Sequence, residues 1–434
     1  MYTEQLFKLF RSSSGVSTDT RTLQPGALFF ALSGPAFDGN QYASLALEKG
    51  AIAAVVTKTS GIVGNRILPV EDPLEALQQL ATYYRSTWKC PVLAIGGSNG
   101  KTTTKELVSA VLSTGYETFA TPGNLNNHIG VPLSILMVDS SKHAMVVLEL
   151  GANHPGEIEQ LCTIAQPTHG YITNIGMDHL EGFGSLAGVL HANAELFRYL
   201  QAQGGTVFIN TLQKDLAEHA QSIKRKVTFP APQDECPIRS METQRKNVLS
   251  WGDRSPITSP LPGKHNFENL AAALAIGLHF GVPYERIGKA LETYKPTNNR
   301  SQILDLHNGI TVWLDAYNAN PSSMAAALES AAAFAGDRPL VCFLGDMLEL
   351  GDFSESAHFE LCKMLESYSP HMVFLVGSCF YRNRDIFPSF RFLESISDLN
   401  PTFLHTIPAH AVVLFKGSRG LRMERIAQIL QEAE

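Results

Sequence analysis

The chain has 434 residues, 44% of them apolar and 17% charged, which suits a protein with real cores and two or three domains. Its formal net charge of -7 argues against a generic nucleic-acid surface, which needs clustered positive charge, so any anionic ligand must be gripped by local features. Six scattered cysteines with no Cys-x-x-Cys pair argue against a zinc ribbon or disulfide framework and fit a reducing cytosol; no apolar run approaches about 18 residues, so no signal peptide or membrane insertion is expected.

Residues 1–88 read as a small α/β unit. Leu6, Leu9 and Phe10 fall at helical spacing. Residues 27–32 and 51–57 read as strands, and 42–49 as a helix closed by Gly50. Glu71-Asp72-Pro73 opens a helix that runs to about residue 87. Proline is tolerated there because the first N–H groups of a helix lack partners anyway. Two polar turns lie between, Ser17-Thr18-Asp19-Thr20-Arg21 and Phe37-Asp38-Gly39-Asn40, and turn chemistry alone accounts for their composition.

After the short linker Lys89-Cys90-Pro91, an apolar strand runs into Gly96-Gly97-Ser98-Asn99-Gly100-Lys101-Thr102-Thr103 and then a helix. A strand feeding a glycine turn feeding a helix is a phosphate cradle. Backbone N–H groups converge on the ligand, and the helix N-terminus adds positive potential. Lys101 is placed for the outer phosphates and the Thr102 hydroxyl for magnesium. The common G-x-x-x-x-G-K-[ST] pattern would need glycine where Ile95 stands.

Further strands are expected at 145–148, ending in Glu149, at 170–175, running into Gly176-Met177-Asp178-His179, and at 206–210. Parallel sheets collect functional groups where strands end. The loop, Glu149 and His179 are therefore expected in one crevice, with Glu149 as a magnesium ligand. Asn124, Asn126 and Asn127 follow Pro122-Gly123. Turn propensity explains one or two of them, and three suggest hydrogen bonding to a polar ligand. Residues 212–262 read as loops and short strands; 266–280 and 282–294 read as helices.

From about residue 300 the pattern resets. A strand at 310–314 ends in Asp315, and Tyr317-Asn318-Ala319-Asn320-Pro321 opens a helix to about residue 335. Strands follow at 340–344, 372–376 and 411–415, the last before Lys416-Gly417-Ser418-Arg419, and a closing helix spans 421–433. Strands alternating with helices imply a second nucleotide-fold-like layer. Residue chemistry alone points to an ATP-using enzyme with at least one magnesium. No Asn-Lys-x-Asp guanine signature argues for a GTPase.

Gly97-Ser98-Asn99-Gly100-Lys101-Thr102-Thr103-Thr104-Lys105-Glu106 resembles the ATP loop of the Mur ligases, which build the peptide of bacterial cell-wall precursors. Asn124-Leu125-Asn126-Asn127-His128-Ile129-Gly130, His179-Leu180-Glu181-Gly182-Phe183-Gly184-Ser185, Tyr317-Asn318-Ala319-Asn320-Pro321 and Leu344-Gly345-Asp346-Met347-Leu348-Glu349-Leu350-Gly351 extend the resemblance over nearly the whole chain. It implies an α/β protein of three domains: a small N-terminal α/β domain at 1–88, a central P-loop ATPase-type parallel sheet at 89–299, and a Rossmann-like C-terminal domain at 300–434.

The same resemblance implies the ligands: UDP-N-acetylmuramoyl-tripeptide, D-alanyl-D-alanine, ATP and two magnesium ions, in a cytoplasmic monomer. Thr20, Arg21, Asp38, Gly39 and Asn40 would bind the UDP end. Asn124, Asn126, Asn127, Asn318 and Asn320 would meet substrate. Residues 97–103, with Asn266 and Asn269 near adenine, Asp315 near ribose and Arg300 near the phosphates, would bind ATP. Thr102 and Glu149 would hold one magnesium, and His179 a second. The family usually carries a carbamylated lysine beside that second ion. Aligning through Ala194-Glu195-Leu196-Phe197 puts the neutral Asn193 there. The expectation is an active enzyme with a weaker second metal site, the Asn193 amide oxygen meeting the ion directly or through water. The third residue of the tripeptide is not legible.

Overall fold

The computed structural model describes residues 2–241, 245–296, 299–306 and 308–432. Three parallel-strand sheets follow one another along the chain. The first holds Val16–Ser17, Leu28–Phe30, Ala53–Thr57 and Ile67–Val70 in that spatial order, all parallel. The central sheet orders Lys226–Phe229, Thr206–Asn210, His169–Ile172, Val92–Gly96, Met145–Glu149 and Thr118–Ala120, again all parallel. The third orders Gln302–Asp305, Thr311–Asp315, Val412–Lys416, Leu340–Gly345, Met372–Val376 and Arg391–Leu393, and only its first strand is antiparallel.

The middle strands of the central sheet read as apolar runs because helices cover both faces. Val92–Gly96 and Met145–Glu149 are buried at every residue. Helix Pro73–Ser86 starts as its sequence predicts: the Asp72 carboxylate accepts from the Leu74 N–H at 2.7 Å, with Pro73 in the first turn. Its other role was not legible. It packs on the first sheet and on helices Gly130–Met137 and Glu157–Ala165 of the central unit. Tyr84 donates to the Val138 carbonyl at 2.7 Å and Arg85 Nε to that of Ala165 at 2.9 Å. One apolar core runs through Phe10, Leu28, Leu77, Leu80, Val92 and Leu196, so the first sheet is seated on the second.

Residues 212–262 hold more order than expected: helix Lys214–His219, the edge strand Lys226–Phe229, and a three-stranded antiparallel sheet of Ile238–Ser240, Asn247–Trp251 and Ile257–Ser259. Strands this short carry little periodicity. The last helix is Glu424–Glu432, shorter than expected at its start; Ala433 lies outside the described residues.

At the amino end of the central sheet, His169 packs against Phe208, His279 and Phe280. Burial, with the nearby His279 and Arg225, pushes its pKa from 6.5 down to about 4. The unfolded chain therefore binds a proton more readily. The stability carried by the neutral imidazole is complete above pH 6.5 and is lost as pH falls toward 4. In thermal melts between pH 7 and 4, His169→Phe should lose less stability than the wild type; parallel curves would contradict this.

Candidate active site

The central sheet reverses its strand order at Val92–Gly96, which has His169–Ile172 on one side and Met145–Glu149 on the other. Ile95 pairs with Glu149, and Gly96 with Ile172. That register brings the glycine loop, Glu149 and the 173–179 segment to one edge, the crevice where parallel sheets bind ligands.

The loop is held by its neighbours. Gly97 has φ +112, and a Cβ there would sit 2.2 Å from Thr173 Oγ1. Gly100 has φ +79, and its Cβ would meet Asn269 Oδ1 at 2.7 Å. Only glycine fits either position. Ser98 Oγ donates to Asp178 at 2.7 Å, and the Asn99 N–H to Asn174 Oδ1 at 3.1 Å. Helix Lys101–Leu112 starts directly behind, so its free N–H groups face the loop. The Lys101 amine folds onto the carbonyls of Gly97 (2.5 Å) and Ser98 (3.0 Å).

Glu149 is 1% exposed. Its Oε1 accepts from Thr102 Oγ1 at 3.1 Å and Asn126 Nδ2 at 2.8 Å. Its Oε2 is buried without a hydrogen bond, 3.4 Å from the Lys105 ammonium. Buried polar atoms are rarely left unmatched. A carboxylate with one oxygen on the Thr102 hydroxyl and the other without a hydrogen bond gives a hard-oxygen donor set that fits magnesium. Lys105 was missed in the sequence, although it lies one turn beyond Lys101 on the same helix face. Its amine also donates to the Gly123 carbonyl at 2.9 Å.

Across the cleft stand helix Lys264–His279 and the third sheet. Asn269 Nδ2 donates to Asn266 Oδ1 at 3.2 Å, and Asn266 Nδ2 to the Pro262 carbonyl at 2.8 Å. Arg300 lies over the Tyr317 ring at 3.8 Å, its buried Nε without a partner. Asp315 pairs with Lys416 at 2.6 Å. Burial would raise its pKa, but Lys416, His265 and the Ser301 N–H together hold it below the ordinary value. Burial keeps His265, another residue the sequence reading missed, below its ordinary pKa. The cleft, about 400 Å³, is lined by Ser98–Thr103, Asn124, Asn126, Glu149, His179, Asn266, Asn269, Arg300, Asp315, Asn318 and Asn320. A larger groove of about 760 Å³ opens at the amino ends of the strands, by Arg85 and Arg225, far from these groups. Both arginines there are engaged with backbone carbonyls.

Several expected residues lie outside the cleft lining. Asn127 Oδ1 accepts from the N–H groups of Ile129 and Gly130, so it caps the following helix. Thr20, Arg21, Asp38, Gly39 and Asn40 stand on the first sheet's loops. Arg21 pairs with Asp19 at 2.6 Å and draws its carboxyl down to about 2. Asp38 takes the Asn40 N–H and side-chain amide, and a Cβ on Gly39 would strike the Leu32 carbonyl at 2.0 Å.

Asn193 also departs from expectation. Its Oδ1 accepts from the Gly97 N–H at 2.9 Å, and its Nδ2 donates to the Val189 carbonyl at 2.9 Å. Both ends of the amide are engaged, so it fastens the loop rather than reaching into the cleft. Asn193→Ala leaves the buried Gly97 N–H unmatched and is expected to cost about 1–3 kcal/mol. Chemical denaturation measures this, and an unchanged midpoint would refute it.

The third sheet meets the site directly. Asn320 caps helix Pro321–Ala335 and donates Nδ2 to Asn99 Oδ1 at 2.8 Å. Ser322 Oγ accepts from the Met177 N–H at 3.0 Å, and His179 Nδ1 lies 2.6 Å from Glu349 Oε2.

Known proteins carry the same architecture. The chain matches the family description "Mur ligase family, catalytic domain" at residues 12–85, "Mur ligase middle domain" at 95–277 and "Mur ligase, glutamate ligase domain" at 299–419. It is 33% identical to a Bacillus subtilis protein named UDP-N-acetylmuramoyl-tripeptide–D-alanyl-D-alanine ligase, over 96% of this chain and 93% of that one. A crystal structure of MurF from Acinetobacter baumannii superposes with a TM-score of 0.88 at 30% identity, covering 99% of this chain and 98% of the other. MurF from Thermotoga maritima in complex with ADP gives 0.83 at 25% identity, covering 98% of each.

Proposed function

The chain belongs to the Mur ligase family, and we propose that it joins D-alanyl-D-alanine to UDP-N-acetylmuramoyl-tripeptide at the expense of ATP. The observation that carries this reading is the convergence of the glycine loop, Glu149, His179 and the third sheet's Asn318 and Asn320 on one cleft.

The chemistry sets the task. A carboxylate acylates poorly because its leaving group would be oxide. Transfer of the ATP γ-phosphoryl to a carboxylate oxygen of the tripeptide breaks the bond to ADP and forms an acyl phosphate. The dipeptide amine then attacks the acyl carbon. The tetrahedral species expels phosphate as the amine loses a proton, leaving an amide. Two anions must first approach each other, so the protein's part is to gather positive potential and fix geometry.

Backbone N–H groups of the loop and the helix behind it would cradle the phosphates, and Lys101 would leave its two carbonyl partners for the transferring group. Arg300 would face the phosphates, Asp315 the ribose, and Asn266 and Asn269 the adenine. Thr102 and Glu149 would hold one magnesium and His179 a second; bound there, the ions would neutralise phosphate charge during transfer. Asn124, Asn126, Asn318 and Asn320 would bind substrate, with Asn127 shaping that loop. Thr20, Arg21, Asp38, Gly39 and Asn40 would receive the UDP end, in an N-terminal unit at 1–88 beside an ATP unit at 89–299 and a closing unit at 300–434. We take the protein to act as a cytoplasmic monomer.

The test is product formation. With ATP, magnesium, the UDP-tripeptide and D-alanyl-D-alanine, mass spectrometry should show the UDP-pentapeptide at one ADP per product. ATP turnover without that product would overturn the assignment. A folate-type polyglutamate ligase shares the acyl-phosphate chemistry, and turnover on a folate with glutamate would favour it instead.

A further inference from the structure

We propose that Glu349, carried by the third sheet, is a positioning residue that sets the tautomer and ring orientation of His179 and so couples the second metal site to docking of the C-terminal unit. This rests on the ligase reading above.

His179 stands at φ +46 and Glu349 at φ +63, both in the left-handed region that non-glycine residues avoid. Two such residues meeting across an interface are held there by their surroundings. Their side chains meet at 2.6 Å, Nδ1 to Oε2. An ionised carboxylate only accepts, so Nδ1 must carry the hydrogen. The neutral ring then presents Nε2 as its lone-pair nitrogen, on a residue that lines the cleft. A carboxylate behind a ligating histidine is a recurring way to fix the ring and raise its basicity.

The support beneath Glu349 is rigid. Asp346 takes the N–H groups of Cys379 and Phe380, each at 2.9 Å. The Met347 N–H donates to His358 Nε2 and the Leu348 N–H to Ser418 Oγ, each at 3.0 Å. Those bonds occupy Asp346 and His358, so they do not form a separate metal site with Cys379 although the three lie close together. The loop is also glued to the histidine's own segment. Leu180 and Phe183 share a core with Met347 and Leu350, and a Cβ on Gly351 would touch Glu181 Cβ at 3.4 Å. With the third sheet displaced, His179 loses its carboxylate and the ring is free to turn.

Glu349 is 59% exposed and His179 22%, and one hydrogen bond so open to water contributes little to folding. A purely structural role therefore predicts little effect anywhere. A positioning role predicts a change confined to the second ion.

The experiment uses full-length protein with Mn2+ as probe, a non-hydrolysable ATP analogue and the UDP-tripeptide. Electron paramagnetic resonance counts bound Mn2+ in wild type, Glu349→Gln and Glu349→Ala. Wild type should bind two ions. Glu349→Ala should keep the first affinity and weaken the second by about tenfold or more. Glu349→Gln, whose carbonyl still accepts from Nδ1–H, should lie between. Without any metal, 15N-histidine spectra should show His179 as the Nδ1–H tautomer in wild type and a mixture in Glu349→Ala. Two ions in wild type with an unchanged second affinity in Glu349→Ala would overturn the proposal alone. A single ion in wild type, in protein that makes the pentapeptide, would overturn the two-ion reading and the proposal with it. Protein that makes no pentapeptide yet shows the Glu349-dependent second site would sustain the positioning role and overturn the substrate assignment instead.

Discussion

Lys101→Ala is expected to lower dipeptide-dependent phosphate release about 10³-fold while leaving the melting temperature within a few degrees of wild type. The two effects separate because of where the residue sits. Lys101 begins helix Lys101–Leu112, and its amine bonds only to carbonyls of its own loop. Alanine is the best helix former, which offsets part of what is lost with the bonds to the two carbonyls. What disappears is a mobile positive charge within reach of the γ-phosphoryl group. Lys101→Arg should not rescue it, because a planar guanidinium does not replace a compact ammonium in a tight loop. Single-turnover phosphate release read beside a thermal melt settles this. Activity within tenfold of wild type would mean that the loop amides alone carry the transfer.

Glu149→Ala is the second large effect, and it should damage both fold and chemistry. It leaves the Lys105 ammonium, 3% exposed, with only the Gly123 carbonyl. A buried charge stripped of its partner costs about 3–5 kcal/mol. Activity should fall at least about 10²-fold, since a ligand for the first magnesium is gone. The double variant Glu149→Ala/Lys105→Met separates the two losses. It removes the orphaned charge as well, so denaturant unfolding should regain most of the stability while turnover stays low. Recovery of both together would show that Glu149 acts only as the counter-ion of Lys105.

The sequence made the sheet's carboxyl edge legible because its signals are local. An apolar strand, a glycine turn and Lys101-Thr102 announce a phosphate loop, and Glu149 closes a strand of unbroken apolar residues. Helix starts at Asp72-Pro73 and Asn320-Pro321 were readable for the same reason. The losses are long-range. Asn193 meets a backbone N–H that lies 96 positions earlier, so its job as a loop fastener left no local trace. Resemblance had pointed its amide toward a metal. Glu349 could be quoted as part of a motif, but its contact with His179 depends on how the third sheet docks. The seating of the first sheet through Leu77 and Leu80 likewise needs the fold, since a buried helix stripe does not say what covers it. Two misses were within reach of helix geometry: Lys105, four residues from Lys101, and His265, four residues from Asn269.

The central claim is that the chain activates a substrate carboxylate as an acyl phosphate and passes it to an amine. Label the terminal carboxylate of the UDP-tripeptide with 18O and supply ATP, magnesium and D-alanyl-D-alanine. The account predicts that each phosphate released carries one 18O atom, matched one to one with pentapeptide, and that release stays low without the dipeptide. Unlabelled phosphate, or release indifferent to the dipeptide, would contradict it.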